Sequence, residues 1–161
     1  MNYRSFQADG LSLPVTATPQ GKPAMSATLS LLAAPSELGK LRGFLSDYCS
    51  QEKLPDHLSH DLEIILEELA TNVMKYAGVP EGSECCLIEL DRKTNNLTIR
   101  FSDNGHPFNP LEQTEVDTNL PIEERPIGGL GIHFIKKLTD AQRYERHDGR
   151  NVITLTKELR S

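Results

Sequence analysis

The chain has 161 residues, of which 37% are hydrophobic and 25% are charged, and its net charge is −6. These values are typical of a single globular domain and give no basic excess for binding a nucleic-acid backbone, so we expect no nucleic-acid partner. No stretch reaches the roughly 18 apolar residues of a membrane span, and the N-terminus lacks a signal-peptide pattern. The sequence therefore predicts a cytoplasmic protein without a membrane partner.

The N-terminal part of the chain divides into a polar leader and the start of a folded domain. Residues 1–24 mix Gly, Pro, Gln and Ser with little periodicity, so we expect a flexible or loosely docked leader. The domain is expected to span residues 25–161. Its first elements are a strand in "SATLSLLA" and a helix that begins after Pro35 and runs to about Ser50.

The middle of the chain predicts a long helix followed by a hairpin. Apolar residues recur at steps of three and four after Pro55, and Gly78 and Pro80 end the pattern. Two apolar strands, "SECCLIELD" and "NLTIRFSD", then flank a turn that contains Asn95. The residues of the helical stripe are Leu58, Leu62, Ile65, Leu66, Leu69 and Val73.

The C-terminal third predicts a long loop, one helix and a last hairpin. Periodicity is lost over residues 109–126, and loops of this length in compact domains are usually lids or binding elements. A Gly-rich turn then enters a helix in "GGLGIHFIKKLTD", and two strands flank Gly149. This order of elements predicts an α+β fold, with the helices on one face of a mainly antiparallel sheet.

Three short motifs carry possible chemistry, and the first lies on the long helix. Glu68 and Asn72 are four residues apart and share one side of that helix, beside the apolar stripe. An amide oxygen is a suitable ligand for Mg²⁺, and a neighbouring carboxylate could accept a proton from a nucleophile. Taken alone, the pair is more typical of an exposed polar face.

The second motif, "FSDNGHPF", places an acid, an amide and a glycine at the end of a strand. Asp103 could accept a hydrogen bond from an exocyclic amine such as that of adenine, and Gly105 would allow a base to approach the backbone. Taken alone, the same residues could form only a turn in which Asp103 and Asn104 bond locally.

The third motif, "GGLGIHF", places Gly128, Gly129 and Gly131 at the start of a helix. Free N–H groups and the positive end of the helix dipole attract anions there, and glycines leave room for a phosphate. An ordinary tight turn is the alternative. The motif is not a Walker loop, because no G-K-[ST] follows it.

The three motifs in this order, with a lid before the third, resemble the Bergerat ATP-binding fold over residues 27–158. That fold is a two-layer α/β sandwich with a mostly antiparallel mixed sheet. Within the superfamily, the chain is most similar to the anti-sigma factor serine/threonine-protein kinases, whose patterns E-x-x-T-N, D-x-G-x-P-F and G-G-x-G-[IL]-x-[FLI]-[IV] match residues 68–72, 103–108 and 128–135.

The resemblance implies a site for ATP and Mg²⁺ and a role for each motif. Asn72 is expected to be the Mg²⁺ ligand, and Glu68 the general base that receives the proton of an attacking serine hydroxyl. Asp103 would bind adenine, with Gly105 beneath the base. Gly128, Gly129 and Gly131 would surround the phosphates while residues 109–127 fold over them.

The resemblance also implies partners. We expect a homodimer that phosphorylates a small anti-anti-sigma domain of the STAS type and, in another state, holds a sigma factor. The alternative is a non-catalytic module of the same fold, in which ATP only stabilises a docking surface. The presence of Glu68 favours the kinase.

Overall fold

The computed structural model describes residues 7–8, 11–12, 15–16, 24–112 and 130–159. In chain order, the described elements are β1 (Gln7–Ala8), β2 (Leu11–Ser12), β3 (Val15–Thr16), β4 (Ala24–Leu32), α1 (Glu37–Gln51), α2 (Asp56–Tyr76), β5 (Glu84–Arg92), β6 (Asn96–Asp103), a 3-10 helix (Pro110–Glu112), α3 (Leu130–Leu138), β7 (Ala141–His147) and β8 (Arg150–Glu158).

The five long strands form the body of one sheet in the order β4, β5, β6, β8, β7, and every pairing within the described residues is antiparallel. Residues directly opposite one another share a face of such a sheet. One face is apolar and buried, as in the row Leu29, Ile88, Phe101 and Ile153. The other face is polar, as in the row Thr28, Glu89, Arg100 and Thr154.

The helices cover the apolar face. The long helix α2 buries every residue of the predicted stripe, together with Ala70, and packs against α1, α3 and β5. Together with the inward strand residues, these side chains form one core cluster. The predicted α+β arrangement, with two layers and the helices on one face, is therefore confirmed. None of the described helices is long and apolar enough to cross a membrane.

The last hairpin turns over two residues with left-handed backbone conformations. Asp148 has φ 49° and Gly149 has φ 75°, which is the pattern of a two-residue hairpin turn whose twist matches that of the strands. This turn fixes the register of β7 and β8, so that Tyr144 lies opposite Ile153 and Arg146 lies opposite Asn151. These pairs place polar side chains of β7 at the end of the buried face.

Seven residues of the predicted leader are described: six lie in β1, β2 and β3, and the seventh is Ala24. β2 pairs with β4 at Ser12 and Thr28, and β3 pairs with it at Val15 and Met25. β4 itself begins at Ala24, slightly before the predicted strand. The boundary of the domain and the mobility of the leader stay predictions.

Candidate active site

The first motif lies on α2 at the edge of the core. Leu69 and Val73 face the core, whereas Glu68 and Asn72 are half-buried beside them. The Asn72 Nδ2 donates a hydrogen bond of 3.2 Å to the Glu68 Oε1. Among the described residues, no donor bonds the Asn72 Oδ1 or the Glu68 Oε2, so one oxygen of each side chain remains available to a ligand.

The side chain of Glu68 packs against the first turn of α3. A Cβ atom at Gly131 would lie 2.2 Å from the Glu68 Cγ and 2.6 Å from its Oε1. Gly131 is buried, and α3 is held to the core by Ile132 and Ile135. The structure therefore brings Glu68 of the first motif and Gly131 of the third motif into direct contact.

The second motif ends β6 on the buried face of the sheet. Asp103 is only 8% exposed, and its Oδ1 accepts hydrogen bonds from the Gly105 N–H at 2.8 Å and from the Asn151 Nδ2 at 2.9 Å. Two donors on one oxygen fix the plane of the carboxylate. No donor within the described part of the chain bonds the Oδ2, which can therefore accept a hydrogen bond from a ligand.

Asn151, which the sequence analysis did not single out, is the centre of a polar network at this end of the sheet. It is 5% exposed. Its Nδ2 donates to the Asp103 Oδ1 and to the His106 carbonyl, while its Oδ1 accepts from Tyr144, Arg146 and the Phe108 N–H. A signal was present in the sequence, because alternation places Asn151 on the same face as Ile153 and Leu155.

The turn after β6 also contacts the end of α2. A Cβ atom at Gly105 would lie 2.4 Å from the Ala77 Cβ and 2.9 Å from the Asp103 Oδ1, and the His106 N–H donates to the Ala77 carbonyl at 3.1 Å. The close packing between the turn and α2 is a reason for glycine at position 105. Its predicted place beneath a base stays a prediction.

The three motifs are thus arranged along one helix. The contact of α2 with Gly131 is at Glu68, and its contact with Gly105 is at Ala77, which lies roughly 13 Å further along the helix axis. Asn72 lies between them. Gly128, Gly129 and most of the predicted lid lie outside the described residues, which include only residues 109–112 of that loop.

A neutral thiol lies next to the carboxylate in the sheet. Cys86 is directly opposite Asp103 in the pairing of β5 with β6, and it is fully buried. The hydrogen bond that it shares with Cys85, followed by burial, raises the pKa of the Cys86 thiol well above its ordinary value. The thiol therefore stays protonated near neutral pH and adds no negative charge beside Asp103.

Comparison with known proteins identifies the domain. The model of the histidine kinase-like ATPase domain family matches residues 31–157. The serine-protein kinase RsbW of Listeria monocytogenes is 30% identical over 130 residues, which are 78% of this chain and 83% of that protein. The serine/threonine-protein kinase BtrW of Bordetella bronchiseptica is 23% identical over 152 residues, which are 94% of either chain.

Two solved structures share the fold at 16% identity. The SiaB–SiaC complex of Pseudomonas aeruginosa gives a TM-score of 0.54 and covers 82% of this chain and 89% of that one. The RsbU and RsbW domains of a Mycobacterium tuberculosis protein give 0.59 over 84% of this chain, which corresponds to 33% of that chain. The chain therefore belongs to the histidine kinase-like ATPase domain family, and its predicted resemblance to the anti-sigma factor serine/threonine-protein kinase family is confirmed.

Proposed function

We propose that this protein is an ATP-dependent protein kinase that transfers phosphate to a serine or threonine of a partner protein. The observation that carries the proposal is the Glu68–Asn72 pair, which is half-buried on α2 against the first turn of α3. Membership of an ATPase domain family implies the use of ATP. The names of the relatives support transfer to serine or threonine.

Asp103 is proposed to bind the adenine. Its Oδ1 is occupied by Gly105 and Asn151, so the carboxylate cannot rotate freely and its Oδ2 is the oxygen left for a ligand. A carboxylate oxygen accepts hydrogen bonds and donates none, which suits the exocyclic amine of adenine and disfavours the carbonyl of guanine at the same place. The buried polar network therefore supports selection for adenine.

The Glu68–Asn72 pair on α2 fits Mg²⁺. Asn72 uses its nitrogen to bond Glu68, so its Oδ1 is a free, neutral oxygen of the kind that Mg²⁺ accepts beside phosphate oxygens and water. When bound, the ion would neutralise charge on the transferred phosphoryl group. We propose Asn72 as its protein ligand. Gly128 and Gly129 would surround the phosphates.

Glu68 is proposed to act as the general base. The partner's hydroxyl proton passes to the carboxylate while the hydroxyl oxygen forms a bond to the γ-phosphorus, and the bond to the bridging oxygen breaks to release ADP. The Glu68 Oε1 is held by Asn72, which leaves the Oε2 for the hydroxyl. Phosphoryl transfer depends mainly on alignment, which a carboxylate fixed on a packed helix can provide.

We propose that the substrate is a small anti-anti-sigma domain of the STAS type, and that a sigma factor is held in an alternative complex. The relatives named RsbW and BtrW support a regulatory kinase, and one structural relative was solved as a complex of SiaB with SiaC. Formation of a homodimer is part of the same proposal.

A transfer assay with three variants tests this function. Wild type, Glu68→Ala, Asn72→Ala and Glu67→Ala would be incubated with Mg-ATP and candidate STAS-type domains from the same genome, with ATP affinity measured separately. Asn72→Ala is expected to lose affinity for Mg-ATP. Glu68→Ala is expected to keep that affinity and to lose transfer by about 100-fold, the scale of general-base catalysis.

Glu67→Ala is the matched control, because it removes the same charge one residue away. The Glu67 carboxylate bonds Arg42 of α1, an exposed pair whose loss has little effect on stability. The control should therefore keep both affinity and transfer. Equal transfer by wild type and Glu68→Ala would contradict the role of Glu68. A wild type that binds ATP and a partner without ever labelling it would establish the non-catalytic docking module instead.

A further inference from the structure

Gly131 has no conformational reason to be a glycine. It lies in the first turn of α3, and its φ is not among the positive values of the described glycines, so any residue could adopt its backbone conformation. Glycine is the poorest helix former after proline, because it loses the most backbone entropy on folding. Some other feature of the structure must therefore favour the absence of a side chain.

That feature is the side chain of Glu68. The three atoms nearest to a Cβ at position 131 would be the Glu68 Cγ, Oε1 and Cδ, at 2.2, 2.6 and 2.8 Å. Real Cβ contacts essentially never fall below 3.0 Å, so a Cβ at position 131 would require a shift of the Glu68 side chain or of a helix. The helical glycines Gly39 and Gly43 differ, because a Cβ on either would meet nothing within 4 Å.

The flexible carboxylate would move before either helix did. α2 is fixed by a row of fully buried side chains that includes Leu62, Ile65 and Leu66, and α3 is fixed by Ile135. The Glu68 side chain, by contrast, is half-buried and held by one side-chain hydrogen bond from Asn72. A methyl group at position 131 would therefore rotate Glu68 and break that bond.

We propose that Gly131 is a positioning residue: because it has no side chain, the Glu68 carboxylate can lie beside Asn72 in the geometry needed for transfer. This inference rests on the proposed function and deepens it. A positioning role differs from a phosphate-binding role. A Gly131 that surrounds the phosphates would lose ATP affinity when it is changed. A positioning role predicts a lower kcat with little change in the KM for ATP, because the nucleotide is bound by other groups.

The first test follows the Asn72 side-chain amide by NMR and needs no kinase activity. The signal of the Nδ2 group, identified by its loss in Asn72→Ala, is compared in wild type, Gly131→Ala, Glu68→Ala and the double variant. We expect Gly131→Ala to move the signal to its position in Glu68→Ala, and the double variant to move it no further, as for two residues acting through one contact. Gly43→Ala is the matched helical control and should leave the signal in place.

The second test measures transfer. Gly131→Ala should lower kcat by about 100-fold and change the KM for ATP by less than about twofold, and it should lower kcat no further in the Glu68→Ala background. An unmoved Asn72 signal in Gly131→Ala would overturn the inference. A raised KM with an unchanged kcat would also overturn it, in favour of a phosphate-binding glycine. A wild type that transfers no phosphate would instead overturn the kinase function, while the NMR comparison still decides whether Gly131 positions Glu68.

Discussion

Asp103 is 8% exposed and its Oδ1 accepts two hydrogen bonds, whereas Glu68, near the middle of α2, is half-buried and accepts one from a side chain. The acid at the sheet end belongs to a network centred on Asn151, in which each polar atom of the Asn151 side chain is bonded. The acid on the helix is held by one hydrogen bond from Asn72 and packs against Gly131.

The difference shows two ways of fixing a carboxylate. Hydrogen bonds in a buried network hold a group rigidly, but removing one member leaves the others unpaired in a medium of low dielectric constant. Contact with a glycine leaves space for the carboxylate and takes up none of its hydrogen-bonding capacity, so the Glu68 Oε2 stays free for chemistry. Substitutions in the network around Asn151 should therefore lower stability, whereas substitutions of Glu68 should lower activity with little effect on stability.

The largest expected effect is that of Asn151→Ala. It removes five hydrogen bonds and leaves the Asp103 Oδ1, Tyr144 and Arg146 without their common partner. We expect the free energy of unfolding to fall by about 3 kcal/mol, measured by urea denaturation. Thr154→Ala, on the open face of the same strand, is the control and should cost much less. Equal losses for the two variants would contradict a special role for the network.

The next effect is that of Asp103→Asn, which keeps the shape of the side chain and changes its chemistry. One oxygen can still accept from Gly105 and Asn151, so the free energy of unfolding should fall by only about 1 kcal/mol. The other position becomes an NH₂ donor facing the adenine amine, so ATP affinity should fall at least about tenfold, or roughly 1.4 kcal/mol. Calorimetry of ATP binding measures this loss, and Asp91→Asn on the polar face of β5 should retain wild-type affinity.

The smallest effect on stability is expected for Glu68→Gln. The amide oxygen still accepts from the Asn72 Nδ2, and the side chain is half-buried, so the free energy of unfolding should change by less than about 0.5 kcal/mol. Thermal unfolding provides the measurement. A fall in the free energy of unfolding as large as that of Asn151→Ala would contradict the proposed contrast between the Asn151 network and Glu68.

Local sequence patterns were sufficient for much of this fold. The steps of three and four residues along α2 and the alternation in the strands predicted which side chains face the core, because burial selects apolar residues at the period of each element. Gly149 predicted the last turn. The order of the three motifs was sufficient for the family, although each motif alone was compatible with a plain turn or a polar face.

Other features depended on contacts between distant parts of the chain. Asn151 reaches Asp103 through the pairing of β6 with β8, and Glu68 reaches Gly131 through the packing of α2 against α3. The sequence by itself determined the three helices and the five long strands, their buried faces and the residue types that could serve ATP. The tertiary structure alone decided which of those residues touch, because hydrogen bonds and steric contacts depend on distances in space that residue order does not specify.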